Sequence, residues 1–274
     1  MSQDLVSIIM PSYNAGRLLS GSVDCILQQT YPYWELLITD DGSTDPETLQ
    51  TLQHYEEQDQ RISVEYQQGN RGPGHARNSS IARAQGRYIA FCDSDDRWMA
   101  DKLERQIRFM QEHECSLSCT SYIVCNSDST PRGFVIAPRR ITFGMLKRDN
   151  KVGCLTAVYD TQRLGRKYYM PTMRKRQDWA LFLTILRDSG EDALALTEPL
   201  AHYYKHGGSV SSDKFSLIRY NLRVYESVLG FSRPKALAYF LCLFLPTYFT
   251  KVLKKKYDSW VFMKKLKRNQ VSMQ

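Results

Sequence analysis

The chain has 274 residues, 42% of them hydrophobic, which is enough to bury a large core as one domain or as one domain with an appendage. Its formal net charge of +8 lies entirely after residue 234, where nine basic residues face one acidic residue. The rest of the chain is balanced and has no excess charge with which to hold a phosphate backbone, so nucleic-acid binding is excluded.

Strand and helix patterns alternate along the first hundred residues. Strands are predicted at residues 6–10, 34–39, 62–66 and 88–92, and helices at residues 17–29, 45–60 and 72–84. Asp45 and Pro46 supply the N-cap and the first-turn proline of the second helix. The alternation predicts an α/β fold with a Rossmann-like, mostly parallel sheet that is flanked by helices.

Polar segments follow three of these strands, at residues 11–14, 40–43 and 93–96. In parallel sheets, ligands gather beyond the carboxyl ends of the strands. The convergence of three polar strand ends favours a nucleotide site over three unrelated turns.

Three carboxylates crowd the last of these segments, since Asp93, Asp95 and Asp96 follow an apolar strand. Neighbouring carboxylates repel one another and lose solvation unless a cation joins them. A hard divalent ion with oxygen ligands, Mg²⁺ or Mn²⁺, suits such a cluster and is usually shared with substrate phosphates. The alternative is a solvated acidic turn that caps a helix beginning near Asp101.

The segment 236–249 is almost wholly apolar and aromatic, with Pro246 inside it. It is shorter than the ~20 residues that span a bilayer. The lysines that flank it are typical of a helix that lies in an anionic headgroup layer. Two alternatives stay open: a core helix packed on the globular domain, and a re-entrant hairpin around Pro246.

The cysteines and the N-terminus predict a cytoplasmic protein. Seven cysteines is an odd number, and their spacing does not suggest paired bridges, which favours a reduced setting. A zinc set of His113, Cys115, Cys119 and Cys125 is disfavoured because the C-x₂-C spacing is missing. The N-terminus has no basic region and the apolar run 5–10 is too short for a signal peptide, so we expect that the protein is not secreted.

The chain resembles the bacterial family-2 glycosyltransferases, which have the GT-A fold and invert the configuration of the transferred sugar. The matching segments stand in the family's order and cover roughly residues 5–215: V-S-I-I-M-P-S-Y-N (6–14), L-Q-Q-T-Y-P-Y-W-E-L-L-I-T-D-D-G-S-T-D (27–45), G-N-R-G-P-G-H-A-R-N (69–78), G-R-Y-I-A-F-C-D-S-D-D-R-W (86–98), R-Q-D-W-A-L-F-L (176–183) and Y-K-H-G-G-S-V-S (204–211). The resemblance implies a GT-A domain at residues 1–215, with a nucleotide-binding half at about 1–100 and an acceptor-binding half at about 101–215. Residues 216–274 are expected to form a helical, basic appendage at the membrane surface.

The resemblance also implies a nucleotide site. Its residues are Pro11, Tyr13, Asn14, Asp40, Arg77, Asp93 and Ser94. Tyr13 would stack on the base and Asp40 would accept an N–H of uracil. Arg77 would hold a diphosphate or orient the acidic cluster, while Asp93 would contact the ribose. Without the resemblance, these side chains would be assigned ordinary roles in rim packing, turns and solvated helix faces.

A metal site and a base follow from the same resemblance. Asp95 and His206 would bind Mn²⁺ or Mg²⁺, although Asp96 is an alternative to Asp95 and His206 could be an exposed loop residue. Lys205 could instead contact the diphosphate. Asp178 matches the acid that deprotonates the acceptor hydroxyl, and its alternative role is to stabilise a helix N-terminus through the dipole. One base opposite one leaving group suits a single in-line displacement with inversion.

The sequence thus predicts a glycosyltransferase that moves a sugar from a nucleotide sugar, a UDP-sugar, to a hydroxyl of a saccharide acceptor. By the resemblance, the acceptor is lipid-linked, the product is a bacterial surface polysaccharide such as O-antigen or capsule, and the enzyme is peripheral on the inner face of the cell membrane, on anionic lipid. A nucleotidyl- or phosphotransferase would want a P-loop, which residues 11–16 do not supply. A non-catalytic membrane-binding module would lack Asp178 or the acidic cluster.

Overall fold

The structure, a computed structural model, describes residues 3–205 and 214–271, and for residues 214–216 and 265–271 it describes the backbone alone. The strands are β1 (Val6–Ser12), β2 (Trp34–Asp40), β3 (Ile62–Tyr66), β4 (Tyr88–Phe91), β5 (Arg97–Trp98), β6 (Leu117–Cys125), β7 (Pro131–Val135), β8 (Arg140–Ile141), β9 (Val158–Asp160) and β10 (Ala193–Tyr204). The helices are α1 (Leu18–Leu27), α2 (Pro46–Gln58), α3 (Pro73–Arg83), α4 (Lys102–Glu112), α5 (Phe143–Arg148), α6 (Gln177–Ser189), α7 (Lys214–Leu229), α8 (Arg233–Tyr239) and α9 (Leu245–Val271). A 3₁₀ turn spans Cys154–Thr156, and a π-helical turn at Phe240–Phe244 joins α8 to α9.

The strands form one sheet in the order β3-β2-β1-β4-β9-β6-β10-β5, with β7 beside β6 and β8 beside β10. The pairs β3–β2, β2–β1, β1–β4 and β6–β10 are parallel, whereas β9 runs antiparallel to both of its neighbours. Strands β5, β7 and β8 are antiparallel to their partners, so the sheet is mixed. The predicted sheet flanked by helices is confirmed, with the parallel arrangement in β1, β2, β3 and β4. The four parallel strands of the first half bring three polar strand ends to one edge.

Strand β1 extends two residues beyond the predicted end at Met10, because Pro11 and Ser12 still pair with Thr39 and Asp40 of β2. On its other side, β1 pairs with β4 only as far as Ile9. A proline cannot donate to a sheet ladder, so it is tolerated where the neighbouring strand has already ended. Pro11 thus lies at the point where the sheet opens.

Two apolar cores cover the two faces of the sheet, and alternate residues of β1 enter each of them. Ile9 belongs to one core, whereas Ile8 and Met10 belong to the other. The core that contains Ile9 is built around α6, where Trp179 packs against Tyr225 of α7 with ring centroids 5.6 Å apart. This core continues without a break into the C-terminal helices.

The C-terminal helices have one buried and one exposed apolar face. Ala236, Phe240 and Phe244 lie in the core beside Trp179, so the inner face of segment 236–249 packs on the domain. Large apolar side chains on the outer face are exposed: Leu237, Leu241, Tyr248, Phe249, Leu253, Tyr257 and Trp260. The alternative of a core helix is therefore correct for the inner face of the segment, and the outer face is exposed.

These helices form a longer continuous run than the sequence pattern predicted. Residues Arg233–Lys264 are helical throughout. By length and composition this helix could cross a membrane, and 17% of its most apolar 18-residue stretch is buried. The re-entrant hairpin at Pro246 is wrong, since the π-helical turn ends just before Pro246 and the helix continues through it.

Helix α9 lies along strand β7. The backbone N–H of Phe134 donates to Ser259 Oγ at 3.0 Å, and the rings of Phe134 and Phe262 stack with centroids 4.9 Å apart. A Cβ atom at Gly133 would lie 2.7 Å from Ser259 Oγ, so this close approach requires glycine. Helix α9, which carries much of the C-terminal positive charge, thus packs against the edge of the sheet.

All seven cysteines are free thiols.

Candidate active site

The loops after β1 and β2 are joined by Asn14. Its Oδ1 accepts backbone N–H groups of Thr44 at 2.9 Å and Asp45 at 3.0 Å, and its own N–H donates to Ser43 Oγ at 2.8 Å. Asn14 adopts a left-handed backbone with φ 45°, a conformation that asparagine tolerates better than most residues. Asn14 thus acts as a brace, and the neighbouring Tyr13 is left 48% exposed at the rim.

Asp40 ends β2 and is 1% exposed. One of its oxygens accepts the backbone N–H of Ser43 at 2.8 Å, and the other accepts the Ser43 hydroxyl at 2.5 Å. These bonds hold the carboxylate in one orientation at the end of the strand. Each carboxylate oxygen has a second lone pair, so Asp40 keeps capacity to accept from a ligand.

Asp41 is a residue that the sequence reasoning missed. It is buried, and its two oxygens accept the backbone N–H groups of Arg71 at 2.9 Å and Gly72 at 2.7 Å. Gly42 beside it has φ +78°, and a Cβ there would lie 2.7 Å from the Gly69 backbone. Asp41 therefore fixes the glycine-rich loop that leads into α3. In the sequence, the position of Asp41 between Asp40 and Gly42 was the signal that could have indicated this role.

Arg77 of α3 pairs with Asp93, the first carboxylate after β4. Arg77 is 7% exposed, and its Nε is buried without a hydrogen-bond partner among the described residues. Burial is the largest single effect and opposes the charge of Arg77, but Asp93, Cys154 and Asp178 together exceed it, so the pKa of the guanidinium lies above its usual value. Arg77 is thus ion-paired with the first carboxylate of the acidic cluster.

Asp96 is the most buried member of the acidic cluster, at 1% exposure. Burial, together with the charges of Asp95 and Asp93, raises the pKa of its carboxyl well above the usual value. Its Oδ1 accepts the backbone N–H of Tyr204 at 3.1 Å, whereas its Oδ2 is buried without a hydrogen-bond partner in the part of the chain that the structure describes. Asp95 and Ser94 are both half-buried in the same turn.

The carboxylate oxygens of the acidic cluster are the kind of ligand that a hard divalent cation prefers. Three carboxylates repel one another there, and the orphaned Oδ2 of Asp96 is an oxygen that a cation would satisfy. Within residues 3–205 and 214–271, however, no group of three or more His, Cys, Asp or Glu side chains is close enough to form a complete metal site. His206, the other expected ligand, lies outside the described residues.

Asp178 is the second residue of α6, in the first turn where the helix dipole stabilises a carboxylate. Its Oδ2 accepts a hydrogen bond from Asn150 Nδ2 at 3.0 Å. Arg176, the residue before α6, has a left-handed backbone with φ 66°, which turns the chain into the helix. A Cβ at Gly74 would lie 3.4 Å from the Gln177 side chain, so α3 and α6 begin side by side.

The structure brings Asp178 into the same region as Arg77 and Asp93. Asp178 contributes to the raised pKa of Arg77. Burial raises the pKa of the Cys154 thiol well above its usual value, and Arg77, Asp93 and Asp178 all act on it electrostatically. The acidic cluster and Asp178, which are more than eighty residues apart in the chain, are therefore within electrostatic range of Cys154.

Comparisons with known proteins show the family of this chain. The family model described as Glycosyl transferase family 2 matches residues 7–170. A Bacillus subtilis protein named as a teichuronic acid biosynthesis glycosyltransferase, TuaG, is 42% identical over 225 residues, which cover 82% of this chain and 88% of TuaG. WfgD of Escherichia coli, named as a UDP-Glc:alpha-D-GlcNAc-diphosphoundecaprenol beta-1,3-glucosyltransferase, is 38% identical over 88% of this chain and 92% of its own.

Solved structures share the fold at lower identity. TarS of S. aureus, solved in complex with UDP-GlcNAc, superposes with a TM-score of 0.66 at 21% identity, over 89% of this chain and 72% of the TarS chain. The mannosyltransferase PcManGT from Pyrobaculum calidifontis, in complex with GDP-Man and Mn²⁺, gives a TM-score of 0.58 at 17% identity, over 98% of this chain and 79% of its own.

Proposed function

This chain belongs to glycosyl transferase family 2, and on that premise we propose that it moves a sugar from a UDP-sugar to a hydroxyl of a lipid-linked saccharide, with inversion and with Asp178 as the base. One observation carries the proposal most strongly. Asp178 is far in the chain from the Arg77–Asp93 pair, yet it lies within electrostatic range of Arg77, beside the carboxylates that follow β4.

The donor half of the proposal rests on the braced loops after β1, β2 and β4. Tyr13 is exposed where it can stack on a base, and Asp40 is held rigidly to accept an N–H of uracil. Asp93, oriented by Arg77, would contact the ribose. WfgD uses UDP-Glc according to its name, and TarS was solved with UDP-GlcNAc, which supports a uridine nucleotide here.

A divalent cation would be held by Asp95, with His206 or Asp96 beside it. When bound, Mn²⁺ or Mg²⁺ would neutralise the departing diphosphate as a Lewis acid. The chain's own contribution is to hold these carboxylates together. Arg77 compensates Asp93, and the Tyr204 backbone N–H fixes Asp96. PcManGT, a structural neighbour, binds Mn²⁺ in its solved complex.

The reaction is a single displacement on the acceptor side of the site. Asp178 takes the proton from an acceptor hydroxyl, and the hydroxyl oxygen forms a bond to the anomeric carbon as the bond to the diphosphate breaks. UDP leaves with the bonding electrons. Because the attack comes from the face opposite the leaving group, the anomeric configuration is inverted.

The acceptor is proposed to carry a lipid diphosphate and to lie at the surface of an anionic membrane. Exposed apolar side chains of α8 and α9 would enter the interface of the inner leaflet, and the lysines of α9 would contact anionic headgroups. The surrounding protein and the neighbouring cations Lys251, Lys205 and Arg132 lower the pKa of Lys255, and such a group of cations would attract a diphosphate. The names of TuaG and WfgD support a role in bacterial surface polysaccharide synthesis.

The proposal is tested by measuring nucleotide release from a panel of UDP- and GDP-sugars in detergent. The acceptor is a polyprenyl diphosphate that carries N-acetylglucosamine. We expect release to require a UDP-sugar, the acceptor and a divalent ion, and a chelator to abolish it until Mn²⁺ or Mg²⁺ is added back. Full activity in excess chelator would overturn the metal assignment, and release from GDP-sugars alone would overturn the donor assignment.

A further inference from the structure

The turn after α5, residues 149–152, is called the corner and contacts both Asp178 and the C-terminal helix. Asn150 lies in this corner and donates from Nδ2 to Asp178 Oδ2 at 3.0 Å. Its own Oδ1 accepts the backbone N–H of Val152 at 3.1 Å, which fixes which end of the amide faces the aspartate. Asn150 therefore presents a donor, in one orientation, to one oxygen of Asp178.

Lys251 of α9 holds this corner from the other side. Its Nζ donates to the backbone carbonyl of Asn150 at 2.7 Å and pairs with Asp149 Oδ2 at 2.7 Å. Asp149 is buried and also pairs with Lys151 at 3.0 Å. The negative charge of Asp149 is compensated by these two lysines. Because one of them belongs to α9, the corner has a defined position relative to that helix. Lys251 is a hundred residues from Asn150 in the sequence.

We propose that Asn150 is a positioning residue for Asp178, and that Lys251 makes the C-terminal helix a structural part of the acceptor side of the site. The inference rests on the proposed role of Asp178 as the base. A base must be held within hydrogen-bond reach of the hydroxyl that it deprotonates. The bond from Asn150 to Oδ2 holds the carboxylate in one orientation, in which Oδ1 is available to take the proton.

Helix α9 therefore has two proposed roles, one on each of its faces. The outer face of α9 carries the exposed apolar side chains that are proposed to lie on lipid, and the inner face carries Lys251. A shift of α9 moves Asn150 and with it the carboxylate of Asp178. Contact with the lipid surface and alignment of the base are thereby coupled through two hydrogen bonds.

The test compares Asn150→Ala and Lys251→Met with the unaltered chain in detergent, with the UDP-sugar and the polyprenyl-diphosphate acceptor that give the highest rate. Loss of a hydrogen bond to a charged group predicts a kcat lowered about 10- to 100-fold for Asn150→Ala. The affinity for UDP should stay within about twofold, because Asn150 faces the acceptor side. Lys251→Met should lower kcat in the same direction, and Lys251→Arg should restore most of it. Arg108→Met, which removes an exposed cation of α4 that has no role in the proposed sites, is the matched control.

A double-mutant cycle separates positioning from general destabilisation. If Asn150 acts through Asp178, adding Asn150→Ala to Asp178→Asn should lower kcat no further, whereas a merely structural effect would multiply. Normal kcat for Asn150→Ala beside a slow Asp178→Asn would overturn this inference alone. Normal kcat for Asp178→Asn would remove the proposed base, and this inference with it.

Discussion

At the scale of single residues, Asp178 carries the chemistry that we propose. Asp178→Asn keeps the shape of the side chain but cannot take a proton, so turnover should fall by about 10²- to 10⁴-fold. Binding of UDP, measured by calorimetry, should survive because the base faces the acceptor. Near-normal turnover would mean that another carboxylate is the base. Nuclear magnetic resonance of the product gives an independent check, since a retained anomeric configuration would contradict a single displacement.

Lys102 is a buried amine outside the proposed machinery. It is fully buried, donates to Gln106 Oε1 at 2.8 Å, and lies 3.9 Å from the centroid of the Trp98 ring. Burial lowers the pKa of Lys102 to about 7 from an ordinary value of 10.5. Between these two pH values the unfolded chain binds more protons than the folded chain, so stability rises as the pH rises.

This linkage predicts a pH-dependent difference between the unaltered chain and Lys102→Met. From pH 7 to 8.5 the free energy of unfolding should rise by up to about 2 kcal/mol in the unaltered chain, at about 1.4 kcal/mol per pH unit. Lys102→Met keeps most of the apolar stem and removes the titrating group, so its profile should be flatter. Urea unfolding at half-unit pH steps measures both slopes. Equal slopes would show that Lys102 does not titrate in this range.

At the scale of elements, the two faces of the C-terminal helices should respond differently to substitution. Phe244→Ala removes a buried ring beside Trp179 and should cost about 3–5 kcal/mol of unfolding free energy. Phe249→Ser changes a ring that is 62% exposed, and it should leave the melting temperature nearly unchanged while weakening binding to vesicles. Calorimetry and vesicle co-sedimentation measure the two effects. A large loss of stability from Phe249→Ser would mean that the outer face is covered by protein.

Local signals explain which elements could be predicted. Asp45 accepts the backbone N–H of Thr48 at 2.9 Å as the N-cap of α2, which a pattern of neighbouring residues is sufficient to indicate. The positions of Asp41 and Asn150 depend on partners about thirty residues away. No periodicity or turn rule reports such contacts, because they form only when the sheet and α6 are assembled. The sequence therefore indicates the acidic motif and the candidate base, whereas the residues that brace them become visible only in the folded chain.

At the scale of the whole molecule, the charge asymmetry predicts selective membrane binding. The full-length chain should bind vesicles that contain phosphatidylglycerol more tightly than neutral vesicles. Moderate salt should release only part of it, because screening weakens the lysine contacts but not apolar burial. Replacing Lys254, Lys255 and Lys256 with glutamine should reduce the preference for anionic lipid. Equal binding of the unaltered chain to both vesicle types would contradict a contribution from the lysines.

Truncation at residue 233 is a poor way to isolate this binding, because Ala236, Phe240 and Phe244 are part of the core. Substitutions on the outer face keep that core intact. They are the better means of separating attachment to lipid from folding.

The contact between α9 and β7 has a consequence for solubility. Strand β7 pairs with β6 on one side, and on its other side the backbone N–H of Phe134 donates to Ser259 instead of to another strand. An uncovered strand edge is a template for pairing with other chains. The C-terminal helix therefore also shields this sheet from edge-to-edge association, and a chain that loses α9 should form aggregates even where its remaining domain stays folded.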